Sequence, residues 1–124
     1  MLPNIVICSL SNNEIYHKIY QEAHLGTYVS YIRGKRCVDE DTFFCEISAS
    51  FQFPWYFGEN WPALDECLCD LEWLRFDSIF LVIDDFSAIF SGDEALKKRL
   101  IEYFTIMVNY WKENEISVII WLNN

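Results

Sequence analysis

A chain of 124 residues with 52% hydrophobic and 18% aromatic content can bury a sizeable core, which excludes a disordered segment. No apolar run approaches the ~20 residues needed to span a bilayer, and Met1-Leu2-Pro3-Asn4 lacks the basic start of a signal peptide. The net charge of −10 argues against nucleic acid or an anionic membrane as partner and favours a basic protein.

Ile5 to Cys8 is a short apolar run that predicts a strand. Asn12-Asn13 offers a cap for a helix through about His24, with Gly26 as its stop. Thr27 to Arg33, rich in β-branched and aromatic residues, predicts a second strand, and Gly34-Lys35-Arg36 a solvated turn. Asp39-Glu40-Asp41 loads acids at a helix start, where the macrodipole favours them. That helix is expected to carry Phe43, Phe44, Ile47 and Phe51 to Phe53, and Pro54 ends it.

The next stretch organises the rest. Trp55, Tyr56, Phe57 and Trp61 crowd around Gly58, and Asn60 is a good helix N-cap with Pro62 in the first turn. Leu64, Cys67, Leu68 and Leu71 recur at helical spacing as one buried stripe, leaving Asp65, Glu66, Cys69 and Asp70 for the other faces. Four aromatics in seven residues exceed what one loop can bury. An exposed remainder beside carboxylates is typical of protein interfaces.

Ser78 to Ile83 is nearly all apolar and predicts a strand buried on both faces. After a turn through Phe90, Asp93-Glu94 opens the longest helix, to about Glu113, with Leu96, Leu100, Phe104, Val108 and Trp111 inward and Lys97, Lys98 and Arg99 on its solvated side. Ile116 to Leu122 is the last strand. Alternating strands and helices predict an α/β domain with a small, mainly parallel sheet and right-handed crossovers. Between Glu59 and Glu94 ten acids meet one base, Arg75, so this segment holds −9 of the net charge.

Little in the chain supports catalysis. The four glycines are dispersed, so a phosphate-binding loop is absent, and His17 and His24 lack acidic or cysteine co-ligands for a metal. Asp65 and Glu66 are helix neighbours about 100° apart and would not share a proton. The five cysteines, Cys8, Cys37, Cys45, Cys67 and Cys69, are odd in number without Cys-x-x-Cys spacing, which predicts reduced, mostly buried thiols in a cytosolic protein. No enzymatic activity, metal or cofactor is expected.

The run from Pro54 to Leu68, Pro-Trp-Tyr-Phe-Gly-Glu-Asn-Trp-Pro-Ala-Leu-Asp-Glu-Cys-Leu, resembles the signature of the barstar family of intracellular ribonuclease inhibitors. The order of elements from Tyr28 onward is similar too. The resemblance implies a three-stranded parallel sheet packed with helices, within a single barstar-like domain over residues 1–124. Residues 27–124 form the core and 1–26 an N-terminal extension, and whether that extension adds a strand stays open. It further implies a bacterial, cytoplasmic immunity protein, monomeric when free, that plugs a basic ribonuclease or nuclease-toxin domain. Tyr56, Gly58 and Asn60 fall at interface positions of the family loop, Trp61 replaces an apolar contact residue, and Glu66 stands at the acidic anchor.

Two departures stand out. Pro62 occupies a position where the family usually has an aspartate, and the anchor is Glu66 rather than an aspartate. Asp65, Cys69 and Asp70 complete the candidate partner-binding set. The alternative is a barstar-fold interaction module that binds a non-nuclease partner or another toxin class.

Overall fold

The computed structural model describes residues 4–124. Residues 1–3, part of the N-terminal reading above, lie outside them. Along the chain run β1 (Ile5–Cys8), α1 (Asn12–Glu22), β2 (Thr27–Arg33), α2 (Glu40–Phe51), α3 (Trp61–Leu68), β3 (Ser78–Asp84), α4 (Glu94–Glu113) and β4 (Ser117–Asn123). Short 3-10 turns occupy Gly34–Arg36 and Phe86–Gly92. The strands form one sheet in the order β1-β4-β3-β2, and every pair is parallel. The N-terminal strand thus joins the sheet at its edge, giving four strands where the resemblance implied three.

β3 sits inside the sheet, and its near-continuous apolar run is buried on both faces, as a parallel strand covered by helices requires. Ile79, Leu81 and Ile83 point into the main core with Phe43, Phe51, Leu64, Leu68, Leu100 and Phe104. Phe80 and Val82 point the other way, toward Ile15 and Ile19 of α1, with Tyr31 and Trp121 around them. Helices therefore cover both faces: α2, α3 and α4 on one, α1 on the other. Gly34 is buried where β2 turns, because a Cβ there would strike the backbone oxygen of Asp85.

Several boundaries differ from the sequence expectation for local reasons. The cap of α1 is Ser11, which forms a reciprocal capping box with Glu14, rather than Asn12-Asn13. α2 ends at Phe51 because Gln52 turns left-handed at φ 56°, two residues before Pro54 can act. α3 ends at Leu68; Leu71 is still buried, but at φ 48° it continues the apolar stripe outside the helix. Lys97, expected on a solvated face, is buried with its ammonium on the Ser87 carbonyl (2.9 Å) and the Glu94 carboxylate (3.1 Å). Of the five free cysteines only Cys37 and Cys67 are buried, and Cys45 is exposed, since the polar faces of α2 and α3 also carry thiols.

Candidate functional site

α3 begins with a cap that the sequence specifies. The Asn60 side-chain oxygen accepts from the Ala63 amide at 2.8 Å, and Pro62 lies in the turn where its missing N–H leaves nothing unpaired. Glu59 before the helix and Leu71 after it both sit at positive φ, 52° and 48°. Such conformations cost non-glycine residues free energy and cluster at ligand-binding segments.

Trp61 locks the start of α3 to the body. Its indole N–H donates to the Glu40 carboxylate at 2.7 Å, its ring stacks on Phe43 and meets Phe44 edge-on, and the Arg99 guanidinium lies 4.8 Å from the ring centre. One turn on, the Asp65 carboxylate accepts from the Tyr103 hydroxyl at 3.2 Å and from the Cys69 thiol at 3.4 Å. Burial, then the Asp65 charge, pushes the Cys69 thiol up to about 12, so it is protonated at neutral pH. Burial likewise raises Tyr103, helped by Cys69 and Asp65, so the phenol keeps its proton and stays a donor. At the far end the Trp111 indole donates to the Leu68 carbonyl at 2.8 Å. One side of α3 is thereby fixed to α2 and α4.

The other side is open. A concavity of about 140 Å³ lies between the loop and α3, lined by Tyr56, Phe57, Gly58, Ala63, Glu66, Cys67 and Asp70. Phe57 is half-buried against Phe44 and Phe53 and anchors the loop. Trp55 and Tyr56 are not anchored: they are 95% and 61% exposed and touch each other edge-on. Glu66 and Asp70 are exposed, and neither takes part in an ion pair among the described residues. α3 and the turn that follows it thus present two carboxylates, Glu66 and Asp70, beside two uncovered aromatic rings.

A scan against protein-family models matches residues 27–123 to Barstar (barnase inhibitor). The chain belongs to the barstar family. A search of curated proteins finds no match. The barstar match starts at the first residue of β2, so β1 and α1 lie outside the family segment; they add the edge strand and cover the second face of the sheet. Members of the barstar family are inhibitors rather than enzymes.

The barstar-type surface separates the candidate residues into two groups. Tyr56, Gly58, Glu66 and Asp70 share the open concavity. Asn60, Trp61, Asp65 and Cys69 instead make the contacts that hold α3 in place. Asp65 and Glu66 point to different sides, as their 100° offset requires. The acidic segment is also divided: Asp84, at the carboxyl end of β3, is buried, so only part of the −9 flanks the loop. Ala63 and Cys67 line this concavity beside the predicted set, Trp55 flanks it against Tyr56, and Tyr103 and Glu40 support it from distant elements. Trp55 was legible as the most exposed of the four clustered aromatics only once Phe57 and Trp61 had found partners.

Proposed function

We propose that the chain is an intracellular, cytoplasmic inhibitor of a basic ribonuclease, an immunity protein that masks the enzyme's active site with α3 and the preceding loop. The observation that carries this reading is Glu66: exposed, free of any ion pair among the described residues, and set beside Tyr56 on a helix held at both ends. Membership of the barstar family supports the partner class. A carboxylate on this surface takes the place of a substrate phosphate against the enzyme's cationic groups, and Tyr56 and Trp55 exclude water around the pair. Among the described residues no helix is long and apolar enough to cross a membrane.

Inhibition of RNA cleavage by barnase and by a panel of basic nuclease-toxin domains tests it. Glu66→Ala is expected to weaken inhibition of the enzyme that binds by at least about 30-fold, the ~2 kcal/mol of an interface hot spot, while Asp93→Ala changes little. Equal and negligible losses from both would remove α3 as the binding surface.

A further inference from the structure

A concavity of about 730 Å³, far larger than the one beside Glu66 and sharing no residue with it, lies at the carboxyl end of the sheet. Three strands contribute to it: Ile7 near the end of β1, Phe86 and Ser87 just past β3, and Asn124 just past β4. The first turns of α4 form the remaining wall. The topology puts an opening here. β1 leads into α1, which covers one face of the sheet, and β3 leads into α4, which packs on the other. The chain therefore departs from β1 and β3, the two neighbours of β4, toward opposite faces. In open parallel sheets such a divergence leaves a crevice outside the carboxyl ends of the strands, and ligands bind there. The volume also falls within the roughly 300–1,000 Å³ of small-molecule sites.

The lining selects the occupant. Phe86 and Lys97 are buried and Ile101 is half-buried, so these three make the floor, while Ser87, Glu94, Lys98 and Glu102 are exposed at the rim. Ile7, 60% exposed, adds an apolar wall. A buried ammonium in an otherwise apolar floor calls for an anion with an apolar body. Lys97 already donates to the Ser87 carbonyl and the Glu94 carboxylate, but an ammonium has three N–H groups, and no third acceptor lies within reach among the described residues. The Glu94 side chain is 84% exposed, so water screens that pair and the buried cation is incompletely compensated. One free N–H on one cation, with no arginine beside it, suits a carboxylate oxygen; a phosphate draws on several donors. Glu94 and Glu102 at the rim oppose a second negative charge on the ligand.

We propose that this crevice binds a small monocarboxylate with an aliphatic chain, of the medium-chain fatty acid class. The carboxylate accepts from the Lys97 ammonium at the floor. The chain lies against Ile7, Phe86 and Ile101 and takes their exposed apolar surface out of water. The concavity beside Glu66 has none of these residues, so both surfaces can be occupied at once. This inference does not depend on the ribonuclease reading.

Titration of the full chain with octanoate, followed by calorimetry and amide NMR, tests it. Octanol and octylammonium serve as probes with the same chain and no charge or the opposite one. Octanoate is expected to bind with a Kd below about 1 mM, at least about tenfold tighter than either comparator. The amide shifts should centre on Ile7, Ser87, Ile101 and Asn124 and leave Gly58 and Glu66 unmoved. Lys97→Met keeps the apolar stem and should erase the preference for octanoate over octanol. Ile7→Glu, at an exposed position, should weaken octanoate binding at least about tenfold. Circular dichroism melts check the fold of each variant, and if Lys97→Met does not fold, Ile7→Glu and the comparator probes decide. No binding of octanoate at about 10 mM overturns the proposal. So does equal affinity for octanol, a set of shifts centred on Trp55 and Tyr56, a preference for octanoate that survives Lys97→Met, or binding indifferent to Ile7→Glu.

Discussion

Two carboxylates on different elements, Asp84 of β3 and Glu66 of α3, show two uses of the same group. Asp84, at the carboxyl end of β3, is buried and fully engaged. It accepts from the Tyr31 hydroxyl (2.5 Å), the Asn123 amide (2.9 Å) and the Asp85 N–H (3.0 Å). Asn123 in turn accepts from the Leu10 amide and the Cys8 thiol, so the cluster ties together the ends of all four strands. Glu66 is exposed on α3 and, among the described residues, takes part in no ion pair. A buried carboxylate with several donors contributes to folding. An exposed one on a rigid helix contributes nothing to the fold and is left for a partner. The cost of losing each should therefore appear in different experiments.

The largest expected effect on stability is at Asp84. Asp84→Ala leaves the buried Asn123 amide and the half-buried Tyr31 hydroxyl without their acceptor and should cost about 3 kcal/mol in urea denaturation. Glu66→Ala should leave the same transition within about 0.5 kcal/mol. If both substitutions destabilised equally, the division between structural and binding carboxylates would fail. Acid sharpens the contrast. Burial alone would raise the Asp84 carboxyl, but the bonds from Tyr31, Asn123 and Asp85, with the Arg33 charge, hold it below its ordinary 3.8. A group with a depressed folded value stabilises the protein above its unfolded value, and the contribution is lost as pH falls through the folded one. The stability gap between the parent and Asp84→Asn should thus be constant from pH 7 to about pH 5 and shrink as pH falls below the ordinary carboxylate value.

The sequence made the architecture legible because its signals are local. The apolar runs at Ile5, Thr27, Ser78 and Ile116 are strands, the acids at Asp39 and Asp93 mark helix starts, and Asn60 is a cap. The order of the strands is different: nothing local says that β1 pairs with β4, over a hundred residues away. The site was legible in part. Gly58 and Glu66 could be placed on the loop and helix from spacing and resemblance, whereas Asp70 falls in the turn just past the helix end. That Asp65 turns away to Tyr103, or that Trp61 is held by Glu40, depends on how α2 and α4 approach α3. Such long-range pairings leave no periodicity to read.

A middle-sized effect follows from that division within α3. Tyr103→Phe removes the one hydroxyl that reaches Asp65 and should cost about 1 kcal/mol of stability. It should also weaken nuclease inhibition by a few-fold, because Asp65 and its helix lose a support while Glu66 itself is untouched. Asp65→Asn, which keeps a side-chain oxygen for the Tyr103 hydroxyl, should lose less than Asp65→Ala in both assays. If instead Asn and Ala lose inhibition equally at unchanged stability, the Asp65 charge itself meets the partner and the assignment of Asp65 to the scaffold is wrong.

The smallest effect on the fold is expected at Gly58, and there the comparison is sharpest. Gly58 is not at positive φ, and a Cβ added to it would meet only Asn60 and Ala63 at 3.4 and 3.5 Å, which is ordinary contact. Nothing within the chain demands glycine here, in contrast to Gly34, whose Cβ would strike the backbone. Gly58→Ala should therefore leave stability unchanged or raise it by up to about 1 kcal/mol, through the lower entropy of the unfolded chain. The added methyl projects from the wall of the Glu66 concavity. If a partner's surface closes on that wall, the same substitution should weaken inhibition about fivefold or more, since overpacking a tight contact costs at least ~1 kcal/mol. A variant more stable in urea yet poorer as an inhibitor would locate the need for glycine in the complex rather than in the fold. Unchanged inhibition would show that the loop wall at Gly58 stays clear of the enzyme.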